Sequence, residues 1–540
     1  MGIAESGGTT RFWRGQGQGR NAGSRAVPLV LVVLVGLFAG LTTGCRSLPS
    51  LDDRTVSSAL TDDEARTTQL GLAIEPLTVL HPGKSGIRLM ENPREAFAAR
   101  VLLAAATQRT LDVEYYIWHG DVTGTLLLEA LHNAADRGVR VRLLLDDNGT
   151  RGIDSELVTL NQHENFEVRL FNPFRNRNLK PLGFVFEFSR LNRRMHNKSF
   201  TADNQATIIG GRNVGDEYFG ATAGILKVDL DLLAIGPVVQ DVSRDFDRYW
   251  ASGSAYPVDG IVPARKMEDL ESFRSQAAAV RRGVEAQEYI AALRNSTLVT
   301  ALLEGSSALI WADTTMVTDA PEKGLGKVKG EALLTNQLTE ILGEPKRHVE
   351  LVSPYFVPAR GGTRLFSEMA ESGIELRVLT NALEATDVIS VHAGYAKRRK
   401  DLLEAGVRLF EMRHLSPQVD RNVSAGPFGS SASSLHAKTF AVDGERAFIG
   451  SFNFDPRSIN LNTELGFVID SPELAQQIAD VFDGGISSDV YEVLLDEKGK
   501  LYWIEQGDGG LIRHDKEPNT GFWKRSAVFW ISLLPIDWML

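Results

Sequence analysis

Two stretches of this chain carry the same order of apolar and polar positions. Thr110–Tyr116 and His348–Tyr355 are short runs rich in β-forming residues. Apolar residues then recur at helical spacing in Leu126–Arg137, and again in Leu365–Ser372. A second extended run closes each set, Val139–Leu145 in the first and Ile374–Leu379 in the second. Strand alternating with helix predicts an α/β fold, with a mixed β-sheet flanked by helices in each of two pseudo-symmetric lobes. Ala251–Ala264, rich in Gly, Ser and Pro, reads as a linker, and Lys266–Arg294 as a helix leading into the second lobe. A short strand pair around Leu501–Ile512 and an aromatic tail from Trp523 to Leu540 come last. The expected divisions are residues 46–260 for the first lobe, 261–480 for the second and 481–540 for a C-terminal extension.

The repeat delivers the same chemistry at matched positions. Tyr116 precedes His196 by 80 residues and Tyr355 precedes His436 by 81. The first lobe holds His196-x-Lys198-x4-Asp203, then six residues, then Gly210-Gly211-Arg212-Asn213. The second holds His436-x-Lys438-x4-Asp443, then six residues, then Gly450-Ser451-Phe452-Asn453. In an extended chain the His and Lys of each copy face the same way. The small residues let backbone approach a ligand, and each Asn adds an amide donor. Two such faces brought together place two imidazoles, two ammoniums and two amides around one cavity. That is a phosphate site with a nucleophile on one side and an acid on the other, and it needs both lobes.

These residues resemble the signature of the phospholipase D superfamily, and the likeness runs through both lobes from about Arg94 to Asp470. Within the superfamily the chain is most similar to bacterial cardiolipin synthases of the branch called cardiolipin synthase C. The supporting stretches are Glu114-Tyr-Tyr-Ile-Trp118, Arg194-Met-His-Asn-Lys-Ser-Phe200 and Gly450-Ser-Phe-Asn-Phe-Asp-Pro-Arg-Ser458. The resemblance implies two phospholipase D-like lobes with the active site at their seam, and no metal or cofactor. It implies that His196 attacks phosphorus and forms a phosphohistidine, while His436 serves as acid and then base. The reverse assignment stays open, because the lobes are symmetric. Lys198, Lys438, Asn213 and Asn453 would hold the non-bridging oxygens, and Asp203 and Asp443 complete the catalytic signature while supporting its structure. A later acid in each lobe, Asp231 and Glu464, begins a matching apolar run and is expected to orient a histidine; Asp229 could fill the first of these places instead.

Composition narrows the reading. A net charge of −11 over 540 residues counts against a general nucleic-acid binder. The single cysteine, Cys45, excludes an internal disulfide. Arg11, Arg14, Arg20 and Arg25 precede an apolar run from Ala26 to Leu41, which ends at Thr42-Thr43-Gly44-Cys45. Residues 1–45 therefore read as an export signal, similar to those of bacterial lipoproteins although Thr42 stands where they usually have Leu, with Cys45 as the lipidated residue facing the extracytoplasmic side; an uncleaved anchor helix and an ordinary cleaved signal are the alternatives. Eight basic residues between Arg169 and Lys198, interleaved with a Phe-rich run at Leu182–Phe188, could press on anionic headgroups or be an ordinary solvated loop. Three Trp in the C-terminal tail suggest an interfacial segment, the alternative being a terminal helix packed on the second lobe. The expected function is phosphatidyl transfer between phospholipids, with phosphatidylglycerol as a substrate. A hydrolase releasing phosphatidic acid, a nuclease of the same superfamily and an inactive membrane scaffold are the competing outcomes.

Overall fold

Strands that are buried on both faces read as continuous apolar runs, and Leu143–Leu145 is such a run at the centre of the first lobe's sheet. The computed structural model describes residues 48–177, 180–220, 226–328, 330–414, 433–483, 489–507 and 509–540. The export segment, with Ala26–Leu41 and Cys45, lies outside them. Among the described residues no helix is long and apolar enough to cross a membrane.

The two lobes repeat one topology. In the first, Thr110–Ile117, Arg140–Gly149 and Phe166–Phe171 run parallel. Thr110–Ile117 also pairs antiparallel with Ser199–Ala202, which turns into Ala206–Gly210 and continues through Asp231–Ile235 to Ser85–Met90. In the second, His348–Val352, Glu375–Asn381 and Arg408–Met412 run parallel. Thr439–Val442, Arg446–Gly450, Leu465–Asp470 and Ile310–Thr318 complete the antiparallel side in the same order. The strand Ile310–Thr318 serves both sheets: Ile310–Ala312 pairs with Ser85–Ile87, and Asp313–Thr318 with Leu465–Asp470. An apolar cluster spanning both lobes, including Ile209, Leu232, Val352, Leu435, Ile449 and Phe467, fills the seam beneath this junction. Pro49–Leu540 thus forms one compact body.

Several expectations change in detail. Ala251–Ala264 is not a loose linker. Ala255–Pro257 pairs with Phe166–Phe171 and closes that sheet edge, with Val258 and Val262 buried. Lys266–Arg294 is two helices, Leu270–Arg282 and Gln287–Asn295, broken at Gly283. The C-terminal extension adds three strands to the second sheet, beginning with Val490–Leu495 against Arg408–Met412. Its helix Phe522–Ser532 buries Val528 beside Ala393 while leaving Trp523, Phe529 and Trp530 exposed.

The basic run is engaged internally. Arg177 and Lys180 pair with Asp147, Arg190 with Glu187, and Arg194 with Asp146. Arg169 sits buried against Glu167 and the carbonyl of Trp250. Asp146, Asp147 and Glu167, which lie outside the run in sequence, join Glu187 in neutralising it, so the charge count of the segment alone does not show its pairing.

Candidate active site

Each motif histidine stands just before a hairpin, where the chain leaves its own sheet. The strands begin at Ser199 and Thr439, three residues after each histidine, because the ladder with the central strand ends there. Freed from that ladder, the backbone pairs across the seam. His196 N–H donates to Thr463 C=O at 2.9 Å, and His436 N–H donates to Val228 C=O at 2.7 Å. Leu226–Val228 and Ser433–Leu435 form a short parallel pair, and Met195 bridges Thr463 in the equivalent place.

Asp203 and Asp443 explain why the signature ends in Asp. Both occupy the left-handed region, with φ of 48° and 58°, at the tip of the hairpin that carries the His and Lys; Asp tolerates this conformation better than most side chains. The Asp203 carboxylate accepts the N–H groups of Gln108, Arg109 and Thr110 at 2.7–2.9 Å, and Asp443 accepts those of Lys346, Arg347 and His348. They anchor each hairpin to the start of the central strand. Both carboxylates face backbone amides at the hairpin tips, in keeping with the supporting role expected of them.

The acids that meet the histidines come from the opposite lobe. His196 Nδ1 lies 2.7 Å from Glu464 Oε2, and His436 Nδ1 is hydrogen-bonded to Asp229 Oδ2. A carboxylate on Nδ1 fixes the proton there and leaves Nε2 with its lone pair. Asp231 does not fill this place. Gly210 pairs with Asp231 and Gly450 with Gly466, so the register puts Asp231 opposite Gly466, and Asp229 opposite Glu464. Asp231 instead binds the buried Arg100 at 2.7 Å and lies 3.4 Å from Arg212.

Small neighbouring residues fit the two acids. A Cβ on Gly211 would stand 2.0 Å from Asp229 Oδ1. Its counterpart Ser451 donates its hydroxyl to Glu464 at 2.5 Å, and Ser458 donates to the other oxygen at 2.8 Å. Gly211→Ala should therefore push Asp229 off His436 and lower turnover on the order of 10²-fold. Circular dichroism and a steady-state assay check this; a folded variant with full activity contradicts it.

Aromatic rings close the walls. Tyr116 stands edge-on to His196 at 5.1 Å, and Tyr218 to His436 at 5.3 Å. Asn213 Nδ2 donates to the Tyr218 hydroxyl at 3.2 Å, while its Oδ1 accepts from Ile117 N–H. Asn453 is buried nearby in the second lobe's copy. Neither tyrosine contact was foreseen from sequence, although the spacing from Tyr116 to His196 is one half of the repeat.

Burial dominates the electrostatics. It pushes the His196 imidazole down to about 4, against the pull of Glu464, with Lys198 and Lys438 adding to it. His436 is held well below its ordinary value by burial, then by Lys438, Lys227 and Lys198. Burial also lowers Lys198 to about 7 and Lys438 to about 8. Burial works to raise Glu464, yet His196 and Lys198 keep it below the usual carboxylate range. Two uncharged imidazoles and a Lys198 only part-charged at neutral pH form a site that an anion recharges. Binding a phosphodiester should therefore take up about one proton at neutral pH. Calorimetry with a phosphonate monoester analogue, whose own charge is fixed, in two buffers of different ionisation heat measures this; no uptake contradicts it.

Known proteins resemble this chain in sequence and fold. The family model described as cardiolipin synthase, phospholipase D-like domain, matches residues 101–250 and 338–485. Cardiolipin synthase C of Escherichia coli strain K12 is 47% identical over 474 residues, covering 87% of this chain and 100% of that one. Cardiolipin synthase B of the same strain is 24% identical over 410 residues, 75% of this chain and 82% of its own length. The crystal structure of phosphatidylserine synthase from Haemophilus influenzae Rd KW20 aligns with a TM-score of 0.53 at 12% identity, over 88% of this chain and 100% of that one, and so shares the fold. Two matched lobes, with histidine and acid crossed over their seam, place the chain in the phospholipase D-like cardiolipin synthase family.

Proposed function

We propose that the protein is a cardiolipin synthase-type phosphatidyltransferase working through a phosphohistidine. The observation that carries the reading is the crossed pairing of His196 with Glu464 and His436 with Asp229. His196 Nε2 attacks phosphorus, and an N–P bond forms as the P–O bond to the leaving alcohol breaks. His436 gives that oxygen its proton, then takes a proton from the incoming hydroxyl as its oxygen displaces His196. Lys198 and Lys438, with Asn213 and Asn453, hold the non-bridging oxygens as charge builds. Phosphatidylglycerol supplies the accepting hydroxyl.

The same reading places the protein on a membrane. Lipid on Cys45 would tether it. The exposed faces of Trp523, Phe529, Trp530 and Leu533, at 82%, 57%, 66% and 61% exposure, suit an interface between water and acyl chains. Incubation of the purified protein with phosphatidylglycerol vesicles, with products identified by mass, tests the function. Cardiolipin is the expected product. Phosphatidic acid alone would make it a hydrolase, and DNA cleavage without lipid turnover a nuclease.

A further inference from the structure

The pseudo-symmetry allows the two sides of the site to be compared residue by residue, and they differ in charge. Val228 and Thr463 are counterparts, since each carbonyl receives the opposite lobe's histidine N–H. The residue before each is therefore matched: Lys227 on the His436 side, Asn462 on the His196 side. Four residues after Asn213 and Asn453 stand Glu217 and Arg457, again of opposite character.

Apart from the acid on each histidine's Nδ1, the matched groups on the His196 side are neutral or cationic. The Tyr116 hydroxyl meets the Asn148 amide at 3.4 Å, and Asn462 lies 3.4 Å from Arg457. Around His436 a carboxylate enters. The Tyr355 hydroxyl donates to Asp387 Oδ1 at 3.0 Å, and Lys227 Nζ donates to Asp387 Oδ2 at 2.6 Å. Lys227 is 13% exposed and Asp387 42%, against 6% for each histidine, so the ion pair is the more solvent-accessible part of this side. Lys227 immediately precedes Val228, whose carbonyl receives the His436 N–H, and it pairs with Ser434 two residues before His436, so the ion pair stands beside that histidine's strand and Tyr355 joins it through Asp387.

A partly exposed ion pair contributes little to stability, so stability alone does not account for one beside His436. Its chemistry suits an alcohol with more than one hydroxyl. A carboxylate accepts from one hydroxyl, while an ammonium and a phenol donate to another. A phosphodiester, which only accepts, would be repelled by Asp387 and drawn to the other side, where Arg457 stands.

We propose that Lys227, Asp387 and Tyr355 form the acceptor subsite, gripping the polyhydroxyl headgroup of the incoming lipid beside His436. This rests on the phosphatidyl-transfer reading above. Held there, one hydroxyl gives its proton to His436 and its oxygen bonds to phosphorus as the bond to His196 breaks. The trio acts as positioning and specificity residues, deciding which alcohol wins over water and over simpler alcohols.

The test is a competition within one reaction. Phosphatidyl-p-nitrophenol in mixed micelles serves as donor, with glycerol and 1-propanol present together, and the phosphatidylglycerol, phosphatidylpropanol and phosphatidic acid formed are measured by mass. The parent protein should favour glycerol. Asp387→Asn and Lys227→Met should each lower the glycerol-to-propanol ratio about tenfold, because a site built around hydroxyl hydrogen bonds discriminates through them. Tyr355→Phe, which keeps the ring, should move it in the same direction. Asn462→Ala, on the opposite side, should lower all three products together and leave the ratio in place. A ratio unmoved by Asp387→Asn, or moved equally by Asn462→Ala, overturns the subsite alone. An Asp387→Asn protein that forms no product also overturns it, since the carboxylate would then serve the phosphorus chemistry itself. A parent protein that transfers to neither alcohol overturns the phosphatidyl-transfer reading with it.

Discussion

His436→Ala should release one equivalent of p-nitrophenol per enzyme from phosphatidyl-p-nitrophenol and then nearly stop. Nitrophenol leaves without needing a proton, so the first displacement by His196 proceeds with no acid. The second step needs a base for water or alcohol, and with His436 gone it slows by roughly 10²–10⁴-fold. The phosphatidyl-enzyme then accumulates on His196. His196→Ala has no nucleophile, so it should show no burst and lose turnover on the order of 10⁴–10⁶-fold. Rapid-mixing absorbance at the nitrophenolate band, with mass analysis of the trapped peptide, reads both. A burst in His196→Ala and none in His436→Ala would exchange the two roles. The pair of variants therefore decides an assignment that pseudo-symmetry leaves open.

The second large effect separates two acids only two residues apart. Asp229→Asn and Glu464→Gln should each lower kcat by roughly 10²–10⁴-fold, because the amide no longer fixes the Nδ1 proton or balances an imidazolium. Asp231→Asn should act on the fold instead. Its carboxylate is the partner of Arg100, and both side chains are about fully buried, at 0% and 1% exposure. Removing one member of a buried ion pair costs roughly 3–5 kcal/mol, since the remaining charge is uncompensated. Denaturant unfolding beside a turnover assay distinguishes the two kinds of loss. An Asp231→Asn protein that unfolds normally yet loses turnover as Asp229→Asn does would contradict this division.

The confusion between Asp229 and Asp231 shows what the sequence holds and what it withholds. Both residues fall on the same side of an extended chain, because the side-chain period is two. The apolar runs that begin at Asp231 and Glu464 looked alike, but matching them slipped the lobes by two residues. Only the hydrogen-bond register, Gly210 to Asp231 and Gly450 to Gly466, sets the true pairing.

The two-lobe α/β plan was legible because strand and helix patterns recur at a fixed distance from His196 and His436. The crossing of each histidine to the other lobe's acid was not, since nothing local to either motif records which sheet its neighbour belongs to. Similarly, the basic run from Arg169 to Lys198 looked like a free cationic face. Its partners Asp146, Asp147 and Asp154 come from another strand and the helix after it, which only the fold brings near. Lys227, Asp387 and Tyr355 lie 32 and 128 residues apart in the chain, so no motif joins them.

Two imidazoles, each tied to an acid of the opposite lobe, should handle one phosphorus atom in two successive displacements. Each displacement inverts phosphorus, so together they restore its configuration. The decisive measurement is the stereochemical course of transfer from a donor made chiral at phosphorus by oxygen isotopes. Retention is expected. Inversion would mean that the acceptor attacks the lipid directly, with no bond between His196 and phosphorus at any stage.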